Sequence, residues 1–128
     1  MKLLLDTHTL LWWSADDQRL STAAREAIAL GSNEVLVSAA SAWEVATKAR
    51  IGKLKGVERL LSNFEATMAA DNFVLLAMAH SHALLAGSLA HEHRDPFDRM
   101  LAAQALIEDA TLITDDATLR GFGARTLW

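Results

Sequence analysis

Cysteine is absent from the 128 residues, so neither a disulfide nor a thiolate-held metal can form. Proline occurs once, whereas 52% of the residues are hydrophobic, which is typical of a compact globular chain with little disorder. Long apolar runs are also missing, because Asp6 and His8 interrupt the opening MKLLLDTHTLLWW too early for a secretory or spanning segment. We therefore expect one domain over residues 1–128, no membrane segment and a reducing compartment, the cytoplasm by default.

Positive charge is in deficit overall but locally concentrated. The formal net charge is -4, which argues against binding of nucleic acid by bulk electrostatics. Five basic residues nevertheless fall within one short segment: Lys48, Arg50, Lys53, Lys55 and Arg59. Such a run is either a solvated helix end and loop or a surface that meets a polyanion, and the pattern alone leaves both interpretations open.

Short apolar runs alternate with helical patterns along the chain. The predicted strands are residues 2–6, 33–38, 73–76 and 111–114, with 124–128 as a candidate edge strand. The predicted helices are residues 7–13, 21–31, 39–51, 57–70, 79–89 and 96–108, with Ser21, Ser38 and Asp95 as caps. This alternation predicts an α/β fold, a three-layer sandwich with a mostly parallel sheet of four or five strands.

Acidic residues follow several of these strands. In a parallel sheet the carboxyl ends of the strands meet along one edge, where ligands usually bind. The acids expected there are Asp6, Glu44, Asp98, Asp115 and Asp116. Clustered carboxylates raise one another's pKa unless a divalent cation neutralises them, and oxygen ligands without cysteine favour Mg²⁺ or Mn²⁺ over zinc. Such an ion can activate water against a phosphodiester.

Two of these acids have structural alternatives within their own helices. Asp6 suits the N-cap of the helix that follows it. Glu44 precedes Lys48 by four residues, the favourable order for an ion pair on a helix surface. Neither alternative excludes a role in a site.

The segment HRDPFDRM raises the same question for the later acids. Asp95 followed by Pro96 has the pattern of a helix start, so we assign Asp95 to capping. On that register Asp98 is placed to complete a capping box, and its role stays open. One of Asp115 and Asp116 is expected to cap a short helix, which leaves the other free.

Four ordered segments carry a resemblance to a known family: LLLDTHTLLWW, VSAASAWEVATKARIGKL, HRDPFDRMLAAQAL and LITDD. With these segments at this spacing, nearly the whole chain resembles the PIN-domain ribonucleases, and specifically a VapC-type toxin of a toxin-antitoxin pair. The resemblance implies a PIN-like fold and a metal-dependent endoribonuclease that cuts tRNA, rRNA or mRNA. It also implies a homodimer and a small VapB-type antitoxin, whose amphipathic segment lies in an apolar groove of the toxin.

The resemblance also implies roles for individual residues. The four catalytic and metal-binding acids would be Asp6, Glu44, Asp98 and Asp116, which would hold Mg²⁺ or Mn²⁺. Thr7 and Thr114 match small hydroxyl residues beside these acids, and Asp115 competes with Asp116 for the fourth position. Basic side chains would meet the phosphate backbone of RNA: Lys48, Arg50, Lys53, Lys55 and Arg99. For Arg99 the alternative is an ion pair with a neighbouring acid.

Histidine and tryptophan have structural interpretations at this level. The histidines at 80 and 82, and those at 91 and 93, form HxH patterns, but side chains two apart on a helix diverge, so we do not expect a zinc site. The four tryptophans are expected in the core or in interfaces rather than as stacking platforms for bases.

Two rival functions remain. A phosphatase of the haloacid dehalogenase type needs a second aspartate two residues after the first, where this chain has His8. A catalytically inactive PIN-like module that binds RNA or protein is the other rival. All four acid positions are filled, which speaks against loss of activity, and a Mn²⁺ titration would separate the two.

Overall fold

One five-stranded sheet forms the centre of the computed structural model, which describes all of residues 1–128. The strands are β1 (Lys2–Leu5), β2 (Glu34–Ser38), β3 (Val74–Leu76), β4 (Thr111–Ile113) and β5 (Thr126–Leu127). Their order is β3-β2-β1-β4-β5, and every pairing is parallel. The predicted parallel sheet is confirmed, and the candidate edge strand at the carboxyl terminus is its fifth member.

Seven α-helices connect and cover these strands. They are α1 (Thr7–Ser14), α2 (Thr22–Ala29), α3 (Ala39–Arg50), α4 (Glu58–Ser62), α5 (Phe64–Ala70), α6 (His80–Ser88) and α7 (Pro96–Ile107). A short 3-10 helix, Ala117–Phe122, lies between β4 and β5. None of the helices combines the length and apolarity that crossing a bilayer requires.

The core is divided into two halves by the sheet. Because side chains alternate along a strand, Leu3 and Leu5 of β1 pack on one face and Leu4 packs on the other. Helices α1, α2 and α5 cover the first face, and α3, α7 and the 3-10 helix cover the second. Both faces are therefore buried, which explains why the central strand is continuously apolar and confirms the three-layer sandwich.

The predicted caps are present and place the helices at the sheet's edge. The side-chain oxygens of Ser21 and Ser38 accept backbone N–H bonds at the starts of α2 and α3. Asp95 Oδ1 accepts from the N–H groups of Phe97 at 2.9 Å and Asp98 at 3.2 Å, with Pro96 at the first helical position. Helix α7 therefore begins where predicted, and Asp98 lies in its first turn.

The predicted helix over residues 57–70 is wrong in one respect, because the segment forms two helices. Asn63 separates α4 from α5 with a non-helical φ of -126°. Its side-chain amide donates to the carbonyl of Arg59 at 3.2 Å, and the same carbonyl accepts from its backbone N–H at 3.1 Å. The apolar periodicity of the segment did not indicate this break.

Candidate functional site

The carboxyl edge of the sheet brings together polar residues from four separate parts of the chain. Strand β1 leads directly into Asp6, β2 leads into the helix that carries Glu44, and β4 leads into Thr114. The three strands are neighbours in the sheet, so these residues converge. Asp98 joins them from α7, which packs against α3.

Asp6 is a buried carboxylate with both oxygens bonded. Oδ1 accepts from the Thr9 N–H at 2.8 Å, and Oδ2 accepts from the Thr114 hydroxyl at 2.5 Å. Burial raises the pKa of Asp6, and the hydrogen bonds from Thr114 and Thr9 oppose that rise. The capping interpretation is confirmed, yet it leaves a desolvated carboxylate at the sheet edge with Thr114 against it.

Glu44 is buried as well and has two partners. Oε1 accepts from the Thr7 hydroxyl at 2.5 Å, and Oε2 accepts from Lys48 Nζ at 2.5 Å. The hydrogen bond to Glu44 raises the pKa of Lys48 against the effect of burial, and the charges of Asp95 and Asp98 add to that rise. The predicted ion pair is confirmed, but it lies inside the acidic site, since only 6% of the Glu44 side chain is exposed.

Asp98 completes this group from the first turn of α7. Its Oδ2 lies 2.8 Å from His93 Nε2. Burial raises the pKa of Asp98, the charges of Asp95 and Glu44 raise it further, and the hydrogen bond with His93 opposes them. The capping-box alternative is wrong, because the carboxylate bonds to His93 rather than to the backbone of Asp95. Asp98 and Glu44 repel each other in a shared environment.

Asp116, rather than Asp115, is the capping member of the adjacent pair. Its Oδ1 accepts from the Thr118 N–H at 2.9 Å and from the Thr118 hydroxyl at 2.7 Å, and these bonds lower the pKa of Asp116. Its own N–H donates to Thr114 Oγ1 at 3.0 Å, which ties it to the threonine that holds Asp6. Asp115 is exposed and makes no side-chain hydrogen bond. The structure therefore connects Asp116 to the site while also using it as a cap.

The acids at this edge already have hydrogen-bond donors of the protein itself. Each of the four acids has a hydroxyl, an ammonium, an imidazole or a backbone N–H against it, and no three His, Asp or Glu side chains are arranged to hold a metal ion. The donor set is nonetheless all oxygen, and the desolvation of Asp6 and the repulsion between Asp98 and Glu44 are what a divalent cation would relieve. The residues fit Mg²⁺ or Mn²⁺ by chemistry, provided that some carboxylates exchange their present partners for the ion.

Arg99 does not have the role expected of it. Its guanidinium donates to four backbone carbonyls at 2.7–2.9 Å: those of Ala86, Leu89, His91 and His93. It also lies over the ring of Phe122. The alternative of an ion pair with an acid is wrong. Three of these carbonyls belong to the loop that precedes α7 and the fourth belongs to α6, so the guanidinium ties the loop to α6 and has few donors left for RNA.

The basic segment is divided between two environments. Lys48 faces Glu44, whereas Arg50, Lys53, Lys55 and Arg59 are exposed. None of these four side chains takes part in an ion pair. A surface that meets a polyanion remains available to the four, while Lys48 belongs to the acidic site.

Two residues that bond the acids were not predicted from the sequence, Thr9 and His93. Thr9 bonds to Asp6 through its N–H and to the carbonyl of Ile113 through its hydroxyl, and its spacing of three from a cap was the missed signal. The bond of His93 to Asp98 depends on a loop conformation that no local pattern predicts. His82 is buried between the Ala79 N–H and Glu108, which is a structural position.

Comparisons with known proteins agree with this geometry. The sequence pattern of the PIN domain matches residues 3–124, so the chain belongs to the PIN-domain family. It is 34% identical over 119 residues to Ribonuclease VapC22 of Mycobacterium tuberculosis. The alignment covers 92% of this chain and 89% of that protein.

Solved structures share the fold at much lower sequence identity. The VapBC2 complex of Rickettsia felis bound to a promoter DNA fragment matches with a TM-score of 0.73 at 16% identity, covering 99% of this chain and 98% of the other. The DNA-bound VapBC of Salmonella typhimurium matches with a TM-score of 0.74 at 21% identity, covering 99% and 97%. The predicted PIN-like, VapC-type architecture is confirmed.

Proposed function

We propose that this protein is an endoribonuclease toxin that cuts RNA with metal-activated water and is neutralised by a VapB-type antitoxin. Its membership of the PIN-domain family and its similarity to Ribonuclease VapC22 support the reaction. The similarity of its fold to the toxin chains of VapBC complexes supports the partner. In this proposal residues 1–128 act as one domain in the cytoplasm, in keeping with a chain that has no cysteine.

One observation carries the catalytic part of the proposal. Carboxylates from three distant segments lie together, with Asp6 and Glu44 buried and Asp98 partly buried. Burial raises the pKa of Asp6 and of Asp98, and repulsion from Glu44 adds to the rise at Asp98. An arrangement that penalises its own charges is more typical of a functional site than of a structural one. A divalent cation is the partner that would make it favourable.

Each residue of the site has a defined task in this proposal. Asp6 and Asp98 would be the main ligands of Mg²⁺ or Mn²⁺, and Glu44 and Asp116 would complete the set. When bound, the ion supplies an activated water and neutralises charge on the phosphate. The Thr7 hydroxyl holds Glu44 in place through their hydrogen bond.

Thr114 links two of these acids. Its hydroxyl donates to Asp6 and accepts from the backbone of Asp116, so it sets the distance between the ends of β1 and the loop after β4. Substitution of this hydroxyl would release both acids at once. Threonine at this position is therefore a positioning residue in the proposal.

Metal dependence is the first test of the reaction. Purified protein free of antitoxin is expected to cut a mixed tRNA and rRNA pool into discrete fragments with Mn²⁺ present. EDTA is expected to stop cleavage, because in this proposal the bound ion lowers the pKa of the attacking water. Gel analysis of the RNA with Mn²⁺, with EDTA and with Mn²⁺ restored provides the measurement. Undiminished cleavage in EDTA would overturn the metal assignment.

An apolar cleft beside the acids suits the antitoxin. The cleft, about 230 Å³, lies between α3, α6 and α7. Its wall includes Trp43, which is 55% exposed and packs edge-on against Phe97 with ring centroids 4.8 Å apart. The helices that form it also carry Glu44 and Asp98, so a peptide anchored here by an apolar side chain could bring a basic one to the acids.

We expect Trp43→Ala to weaken binding of the cognate antitoxin by about thirtyfold. A tryptophan that becomes buried when a partner binds often contributes about 2 kcal/mol to the interface. Isothermal titration calorimetry with the antitoxin measures the effect. Leu30→Ala is the matched control, since Leu30 is also 55% exposed but lies outside the cleft. Equal losses in the two variants would place the antitoxin elsewhere.

A homodimer is also part of the proposal. Edge strand β3 is unpaired on one side, and its residues Val74 and Leu75 are both 47% exposed. The unpaired N–H and C=O groups of an exposed edge strand can pair with a strand of another chain. This exposure supports association through β3.

A catalytically inactive binding module is the second candidate. The observation in its favour is that every acid already has a protein partner and no ligand cluster is formed. Calorimetric titration with Mn²⁺ separates the two candidates. Specific binding that depends on Asp98 supports the nuclease, whereas its absence in folded protein supports the binding module.

A further inference from the structure

A groove of about 460 Å³ lies between α1 and the loop that connects α3 to α4. Both of these segments are connected to residues of the acidic site. Helix α1 starts directly after Asp6, and the loop is tied to the end of α3 by hydrogen bonds from the N–H groups of Lys53 and Leu54 to the carbonyl of Lys48.

A stack of planar side chains forms one side of this groove. The rings of His8 and Trp12 are nearly parallel, 22° apart, with centroids separated by 5.7 Å. The Arg19 guanidinium lies 5.1 Å from the centroid of Trp12. Trp12 is half-buried, as expected of a tryptophan that packs on the core, whereas His8 is exposed. The accessible member of the stack is therefore the histidine.

His8 also adjoins the acids. It lies in the first turn of α1, the helix whose N-cap is Asp6. A planar group stacked on His8 would thus lie beside the site of the proposed reaction. The stack is positioned to hold a nucleotide next to the phosphate that is cut.

Unpaired positive charge lines the opposite side of the groove. Lys55 and Arg59 are exposed and form no ion pair. The one acid in the lining, Asp17, is held by Arg19, whose hydrogen bonds lower the pKa of Asp17 to about 2. The groove is therefore locally cationic on a chain of net charge -4. Cations that face a planar stack match the backbone and bases of a single strand.

We propose that this groove is the path by which single-stranded RNA enters or leaves the acidic site. One base stacks on His8, and the next phosphates lie against Lys55 and Arg59. The inference rests on the proposed ribonuclease function and adds to it the part of the surface that binds substrate and the requirement for unpaired nucleotides. A duplex cannot present a free base to the stack.

The phosphate contacts are tested by binding in EDTA, where cleavage does not interfere. The probe is a short fluorescein-labelled single-stranded RNA of mixed sequence, followed by anisotropy at several salt concentrations. The double variant Lys55→Ala/Arg59→Ala is expected to bind more weakly than the parent. Its slope of log affinity against log salt should be smaller by about 1.4, because each single-strand phosphate that a side chain neutralises adds about 0.7 to the slope.

The control for this variant is Arg50→Ala/Lys53→Ala. It removes the same number of charges from the same segment, but these residues lie outside the groove. A smaller change in slope supports the groove. An equal change in the two double variants would mean a diffuse basic surface and would overturn the proposal.

Stacking is tested separately by His8→Ala and His8→Phe. The alanine variant is expected to bind single-stranded RNA about tenfold more weakly, and the phenylalanine variant should bind like the parent, because stacking needs a planar ring and not a charge. Affinity for the same sequence as a duplex should respond little to either change. Unchanged binding in His8→Ala, or equal weakening in both variants, would overturn the stacking role.

The parent protein separates failure of this inference from failure of the proposed function. If the parent neither binds nor cuts RNA, both are overturned. If it binds and cuts while all groove variants behave like it, only the groove is overturned. The Mn²⁺ affinity of Lys55→Ala/Arg59→Ala, measured by calorimetry, should equal that of the parent and thereby show that the acids are intact.

Discussion

Asp98→Asn is expected to lower RNA cleavage about a thousandfold or more while leaving the fold intact. The substitution removes a proposed metal ligand, and a bound metal ion stabilises the charge of the transition state by several kcal/mol. Each loss of about 1.4 kcal/mol lowers the rate tenfold. The amide oxygen of asparagine can still accept from His93, which bonds Asp98 at 2.8 Å. Cleavage of a tRNA and rRNA pool in Mn²⁺, with circular dichroism as the check on folding, measures the effect.

Asp115→Asn is the matched control for this substitution. Asp115 is exposed, carries the same charge and lies next to the acid that we assign to the site. We expect it to keep most of the parent's activity, and Asp116→Asn to lose far more. Full activity in Asp98→Asn, or loss in Asp115→Asn with retention in Asp116→Asn, would contradict the assignment.

The same Asp98→Asn change should stabilise the protein in EDTA. Burial and the charges of Asp95 and Glu44 raise the pKa of Asp98, so protonation favours the folded state. For a carboxyl group with a raised folded pKa, stability falls as pH rises from the unfolded value through the folded one. Asparagine removes this penalty, and its unfolding midpoint should exceed the parent's by a margin that widens over that range. Mn²⁺ should reverse the order by stabilising the parent alone.

Arg99→Ala is expected to cost about 2–4 kcal/mol of folding free energy. The guanidinium bonds three backbone carbonyls of the loop before α7 and one of α6, and hydrogen bonds that involve a charged partner typically contribute about 1.5–3 kcal/mol each, less where water can replace them. Urea unfolding followed by circular dichroism measures the loss. Cleavage should fall too, because His93 belongs to the same loop and contacts Asp98.

Two further variants make this result interpretable. Arg99→Lys keeps the charge but cannot reach four carbonyls, so it should lose most of the same stability. Arg125→Ala removes an exposed arginine that pairs with Asp109 and should change stability by no more than about 0.5 kcal/mol. Parent-like stability in Arg99→Ala would mean that contacts such as those of Phe122 hold the loop without it.

Local chemistry explains what could be predicted of the site. The positions of the acids relative to the strand ends required only the order of elements and the rule that parallel strands end along one edge. Asp95 could be assigned to capping because its role depends on Pro96 and on the backbone of its own helix. These inferences used contacts within a few residues in sequence.

Partners distant in sequence could not be predicted in the same way. Lys48 fits a surface ion pair by spacing, but the packing of α3 against α1 and α7 decides that Glu44 is buried and that the pair lies among the acids. Arg99 has an ordinary basic pattern, yet three of the four carbonyls that it bonds belong to a loop whose path no periodicity specifies. Asp116 and Asp115 are chemically identical, and only the turn after β4 distinguishes them.

By itself the sequence determined the alternation of strands and helices, the parallel sheet, the caps and the residues that carry chemistry, because each depends on backbone propensity, periodicity or a bond to a near neighbour. The tertiary structure alone decided which face of each helix is buried and which acid is desolvated. It also decided which basic side chain pairs with Glu44 and which basic side chains line the groove beside His8. Those outcomes depend on distances and on the exclusion of water, and both arise only when segments far apart in the chain pack together.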